Sequence, residues 1–168
     1  MSVVDNITFA LVSLKKELED YLDTQRWKRL YKIFIFGDSF LKNKEIVLDT
    51  NSRNQIALPL IIIDTGSVRN EIQEIGSEFG RDSITLSLIV MAKEENQLRT
   101  LSNLIRRKIS NFSFDIKNYD SARRETLGTG EMSEVVMLDV SDPNANNVAD
   151  RYVAVINSTL EIDAESFI

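Results

Sequence analysis

Chemistry in this chain falls to carboxylates, lysines, hydroxyls and tyrosines, because its 168 residues include no cysteine and no histidine. Those two absences exclude thiol nucleophiles, disulfide frameworks, zinc ribbons, iron–sulfur clusters and the Ser-His-Asp triad, and they remove the commonest metal ligand. The sharpest remaining string is Asp64-Thr65-Gly66-Ser67, which ends the apolar run Leu60, Ile61, Ile62, Ile63. Its simplest reading is a buried strand closing in an Asx-type turn. Gly76 and Gly80 invite a phosphate cradle, but a P-loop must deliver Gly-Lys-Ser/Thr into a helix. Here Gly80, Arg81 and Asp82 lead into a strand, so a hairpin connection is expected. Arg26, Trp27, Lys28, Arg29, Tyr31 and Lys32 mix cations with aromatics and could stack bases or grip phosphates. The simpler expectation is a helix end whose Trp27 and Tyr31 join the core. The acidic groups Glu17/Glu19/Asp20, Glu94/Glu95 and Asp139/Asp142 lack an Asp-x-Asp-x-Asp-Gly loop and read as solvated faces and a helix start. No cofactor or metal is expected.

Charge narrows the partners. The balance of 20 Lys+Arg against 26 Asp+Glu gives a net charge of −6, which opposes broad capture of nucleic acid, since that needs a basic footprint to release counterions. No stretch approaches the ~18 uninterrupted apolar residues of a membrane span. The start, Met1 to Asn6, has no basic n-region, so no secretory signal and a cytosolic site of assembly are expected. With 43% apolar residues, two prolines, six glycines and no repeat, residues 1–168 are expected to form a single domain with a real core.

The elements that must position these residues follow from periodicity. Ile7, Leu11, Leu14, Leu18 and Leu22 form one stripe of a helix over 5–22, with Asp5 or Asn6 as N-cap and Lys15, Lys16, Glu17, Glu19 and Asp20 on its wet face. Residues 31–36 are β-branched and aromatic and stop at Gly37-Asp38-Ser39. A short strand at 45–48 and a strong one at 60–64 follow, the latter led by Pro59, where its missing N–H does least damage. Ile84, Leu86, Leu88 and Val90 alternate with Thr85, Ser87, Ile89 and Met91, giving a strand with one fully apolar face. After Ala92 a second amphipathic helix buries Leu98, Leu101, Leu104, Ile105 and Ile109. Its Glu94 and Glu95 at the start and Arg106, Arg107 and Lys108 at the end suit the helix dipole. Strands at 135–140 and 152–162 close the chain around a loop at 141–150. Residues 121–131 lack an apolar period and read as an exposed loop, mobile or bound to a partner. The expected class is α+β: a mixed or antiparallel sheet with two amphipathic helices packed on one face.

Two resemblances bear on function. The string Leu60 to Ser67 resembles the active-site loop of retroviral-type aspartic proteases, in which two such aspartates meet in a dimer and share one proton. It would make Asp64 the catalytic residue, but that family is nearly all strand, and here two long helices flank the strands. A longer block resembles the tail terminator or tail-completion proteins of long-tailed bacteriophages. It comprises the Pro59-led strand, the turn at 71–76, the alternating strand at 83–90 and the helix at 94–109. In that family a Glu-Leu-Gly-like turn occupies the second position, and Ile75 here replaces the usual leucine. The N-terminal helix leading into strands also matches, so the resemblance spans roughly residues 5–109.

The terminator resemblance implies a virion structural protein without catalytic residues, a tail-terminator-like domain assembled in the host cytoplasm as a ring at the tail–neck junction. The ring would be a hexamer of this chain. Its partners would be the tail tube, a sheath protein where the tail carries one, a head–tail connector, and DNA passing through unbound. An acidic ring suits that last role because like charges repel. Closed rings need two different patches per subunit. These are expected on sheet edges and on the loops at 121–131 and 141–150, with Arg123, Arg124, Asp142 and Asn144 as candidate interface residues. A head–tail adaptor of a different fold and an aspartic-protease-like dimer remain the alternatives.

Overall fold

The structure, a computed structural model, describes residues 3–27, 30–35, 59–72, 80–139 and 152–164. Helix α1 (Val3–Leu22) begins two residues earlier than expected and continues into a wider π-type turn over Asp23–Trp27. Then come β1 (Lys32–Ile35), β2 (Leu60–Ile72), β3 (Gly80–Ala92), α2 (Glu95–Ile109), β4 (Ser113–Lys117), β5 (Thr126–Asp139) and β6 (Tyr152–Ala164). The six strands of the described residues join one sheet in the order β1-β2-β3-β6-β5-β4. Among the described strands only β1 and β2 pair in parallel and the other pairs are antiparallel, so the class is α+β with a mixed sheet.

Burial follows the alternation. Ile84, Leu86, Leu88, Val90 and Ala92 of β3 lie on one face with Ala154, Ile156, Leu160 and Ile162 of β6. They form one core with Leu11, Leu14, Leu18 and Leu22 of α1 and Leu98, Leu101, Ile105 and Ile109 of α2. Each fully buried Leu or Ile contributes about 1.5–3 kcal/mol of transfer free energy, so the face choice is decided many times over. Helix α2 lies over the central β3, β6 and β5, while α1 packs against the two edge strands, β4 and β1. The buried Ser13 of α1 accepts a hydrogen bond from the Lys117 N–H at 3.0 Å. Covering an edge with a helix is one way to keep it from pairing with other chains.

Three expectations need correction. Strand β2 does not close after Asp64 in an Asx turn; it runs on to Ile72 through a bulge between Thr65 and Val68. Strand β4 was not anticipated, because five residues of alternating Phe114 and Ile116 between polar neighbours make too short a pattern. Residues 126–131 are not loop: they open β5 and pair with both β4 and β6. Gly128 and Gly130 hide the apolar alternation there. Gly130 is needed because a Cβ at that position would lie 2.5 Å from Phe114 Cζ. The expected strand at 45–48 and the loop at 141–150, with Asp142 and Asn144, lie outside the described residues.

Candidate interaction surface

The sheet face turned away from the helices changes character along its length. In the central pair, Met91 opposes Val153 and Ile89 opposes Val155; then Ser87 opposes Asn157, Thr85 opposes Thr159 and Ser83 opposes Glu161. The Ser87 hydroxyl donates to Asn157 Oδ1 at 2.8 Å. The flanking strands repeat the gradient: Ile62 of β2 faces Ile89, Asp64 faces Ser87, and Glu131 of β5 faces Glu161. One end of this outer face is apolar and the other is charged.

Two bulges mark the boundary. The one in β2 opposes residues 84–86 of β3; the one between Ser133 and Val136 of β5 opposes residues 157–159 of β6. Leu86 pairs with Ser158, so both irregularities sit at one height across the sheet. The extra residue in β5 puts Glu134 at φ 54°, and the buried Ser158 hydroxyl donates to the Ser133 carbonyl at 2.7 Å. In β2 the bulge brings Gly66 against Thr85, where an added Cβ would stand 3.3 Å from the Thr85 Cβ. Asp-Thr-Gly-Ser here is the sequence of a β-bulge. Asp64 is half-buried in mid-strand, not carried on a loop.

At the charged end the acidic residues outnumber their partners. Asp163, Thr129 and Asp115 form one cross-strand row; Glu161, Glu131 and Ser113 form the next. Arg81 of β3 donates to Glu161 Oε2 at 2.7 Å and reaches Asp163 at 3.7 Å. Glu131 has no ion-pair partner among the described residues and faces Glu161 directly, with Asp115 and Asp163 on its diagonals. Like charges directly opposite on a sheet are destabilising.

The β4–β5 connection holds Arg123 and Arg124, both exposed. It is built by side-chain bonds: Asn118 Oδ1 accepts from the Asp120 and Ser121 N–H groups, and Ser121 Oγ accepts from the Arg123 N–H. The Asn118 N–H donates to the Glu125 carbonyl at 2.9 Å and closes the turn. Arg124 sits at φ 49° with its guanidinium 5.8 Å from the Tyr119 ring centroid.

The remaining candidates resolve into structure. Gly80 opens β3 opposite Ile72, as a hairpin requires, while Gly76 lies outside the described residues. Trp27 and Tyr31 pack against the core. The Tyr31 hydroxyl stands 2.8 Å from the Glu19 carbonyl and 2.9 Å from Asp23 Oδ1, tying the residue before β1 to the end of α1. Burial, followed by the hydrogen bond to Asp23 and the negative charges around it, raises the Tyr31 phenol well above its ordinary value. Glu19 pairs with Lys15 and Lys16, and Glu95 with Arg99 at 2.5 Å. Among the described residues, no group of three or more carboxylates is arranged to hold a metal ion, and no helix is long and apolar enough to cross a membrane. The opposition of Glu131 and Glu161 escaped sequence reasoning, since only strand register brings residues 30 positions apart together. No protein-family model matches the chain, and no curated protein matches its sequence.

Proposed function

We propose that this chain is a virion structural protein, a ring-forming terminator at the top of a phage tail that ends the tail tube and joins it to the neck. The observation that carries the reading is the arrangement of the resembling block. The Pro59-led strand and the alternating strand are sheet neighbours β2 and β3, α2 covers the latter, and the amphipathic α1 packs on the same core. The acidic balance suits a conduit that DNA crosses without being held. The turn carrying Arg123 and Arg124 supplies an exposed cationic contact for a neighbouring copy or the tail tube. The protease-like alternative places its chemistry on Asp64, whose half-buried position in the middle of a paired strand does not offer a carboxylate on a loop.

Native mass spectrometry of the purified protein, with wild type, Arg123→Ala/Arg124→Ala and Asp64→Asn side by side, tests the assignment. Closed rings are expected for wild type and Asp64→Asn. The double arginine variant should assemble more weakly at unchanged circular dichroism. Rings that ignore the loss of both arginines remove them from the interface. Peptide cleavage that disappears with Asp64→Asn overturns the structural reading.

A further inference from the structure

A cationic helix end and an acidic stretch of strand lie on opposite sides of the sheet at the same end of the molecule. On the helix side, α2 carries Arg106, Arg107 and Lys108 in its last turn, and after Ile109 three residues intervene before β4 begins at Ser113. Arg107 is exposed, and Lys108 is held with its Nζ 3.9 Å from the Phe112 ring centroid and 5.5 Å from that of Tyr21. None of the three forms an ion pair among the described residues, and the buried Nε of Arg106 has no hydrogen-bond partner. On the outer side, the row that starts at Ser113 continues through Glu131 to Glu161, with Asp115 and Asp163 in the next row. Those carboxylates are spread along strands, which fits a multi-point cationic surface better than a single ion.

We propose that copies of this chain associate front to back, the cationic end of α2 in one copy against the acidic outer face of β4, β5 and β6 in the next. The proposal rests on the ring reading and names the complementary patches that ring would use. Head-to-tail association requires two different, mutually complementary patches on one subunit, which is what the cationic end of α2 on one side and the acidic strands on the other supply. It also accounts for Glu131. Glu161 already pairs with Arg81, so the carboxylate of this pair left without a cation among the described residues is Glu131, and an arginine arriving from outside supplies one.

A charge exchange tests this, using Arg107→Glu, Glu131→Arg and the double variant, each checked for fold by circular dichroism and followed by sedimentation velocity and native mass spectrometry. Both residues are exposed, and Arg107→Gln serves as a milder companion should the reversal disturb the helix end. Each single reversal should raise the apparent dissociation constant about tenfold. Arg107→Gln should fall between, and the double variant should recover most of the loss. Added salt should weaken the wild-type assembly, because contacts of this kind are screened within about 3 Å at 1 M. Rings unchanged by either reversal, or a double variant as weak as the singles, overturn the front-to-back contact and leave the ring reading standing. A wild type that stays monomeric at every concentration overturns both.

Discussion

Gly130→Ala probes the contact between β5 and β4 through the sign of its effect. At a glycine whose backbone suits any residue, alanine stabilises by about 0.4–1 kcal/mol, because the unfolded chain has fewer conformations to lose. Here the new Cβ would stand 2.5 Å from Phe114 Cζ, 2.9 Å from Cε1 and 3.0 Å from Cε2, so the whole ring must withdraw. It has little room: Phe114 is only 5% exposed, and Phe112 stacks beside it at 5.6 Å with Lys108 held over the Phe112 ring at 3.9 Å. Overpacking a filled site costs about 1–3 kcal/mol. Subtracting the unfolded-state gain leaves a net loss of roughly 0–2.6 kcal/mol, centred on about 1.3 kcal/mol. For a chain of this length that is a fall in Tm of about 3–5 °C at the centre of the range and about 10 °C at most. Urea denaturation monitored by far-UV circular dichroism reads it directly. Combining Gly130→Ala with Phe114→Leu should cost less than the two single losses summed, since the smaller side chain vacates the contested space. A Gly130→Ala protein more stable than wild type refutes the reasoning, because only the clash opposes the unfolded-state gain.

Ser13→Ala removes the acceptor for the Lys117 N–H at the β4 edge and should cost about 1–2 kcal/mol in urea denaturation, with faster hydrogen exchange at the Lys117 amide. An unchanged exchange rate would separate α1 from the protection of that edge. Tyr31→Phe deletes the hydroxyl shared by Asp23 and Glu19 and should lower stability by about 0.5–1.5 kcal/mol at neutral pH. The folded phenol titrates above its unfolded value of about 10, so its contribution is complete below that pH and is lost as pH rises beyond it. Urea midpoints from pH 7 to 11 should show the gap between wild type and Tyr31→Phe constant at first and narrowing above pH 10. A gap that widens there contradicts the assignment.

Much of the fold is legible in short stretches of the chain, and the reason is local. The stripe of Leu11, Leu14, Leu18 and Leu22, that of Leu98, Leu101, Ile105 and Ile109, and the alternation from Ile84 to Val90 each state which side of one element must leave water. That determines helix or strand, the α+β class and the core-facing residues before any partner is chosen. The failures fall where a residue's identity answers to something distant. Gly130 is small because Phe114 lies on it, and Gly66 because a bulge carries it against Thr85. Read locally, the first resembles loop and the second a catalytic turn. Glu131 and Glu161 are two ordinary surface carboxylates in sequence, and the cations at the end of α2 are ordinary dipole partners. Register across β4, β5 and β6 turns the carboxylates into an acidic face, and the placement of α2 puts the cations on the opposite side. Periodicity records each element's relation to water, which is settled residue by residue. Cross-strand neighbours depend on strand order and register, which are settled only when the whole sheet closes over its core.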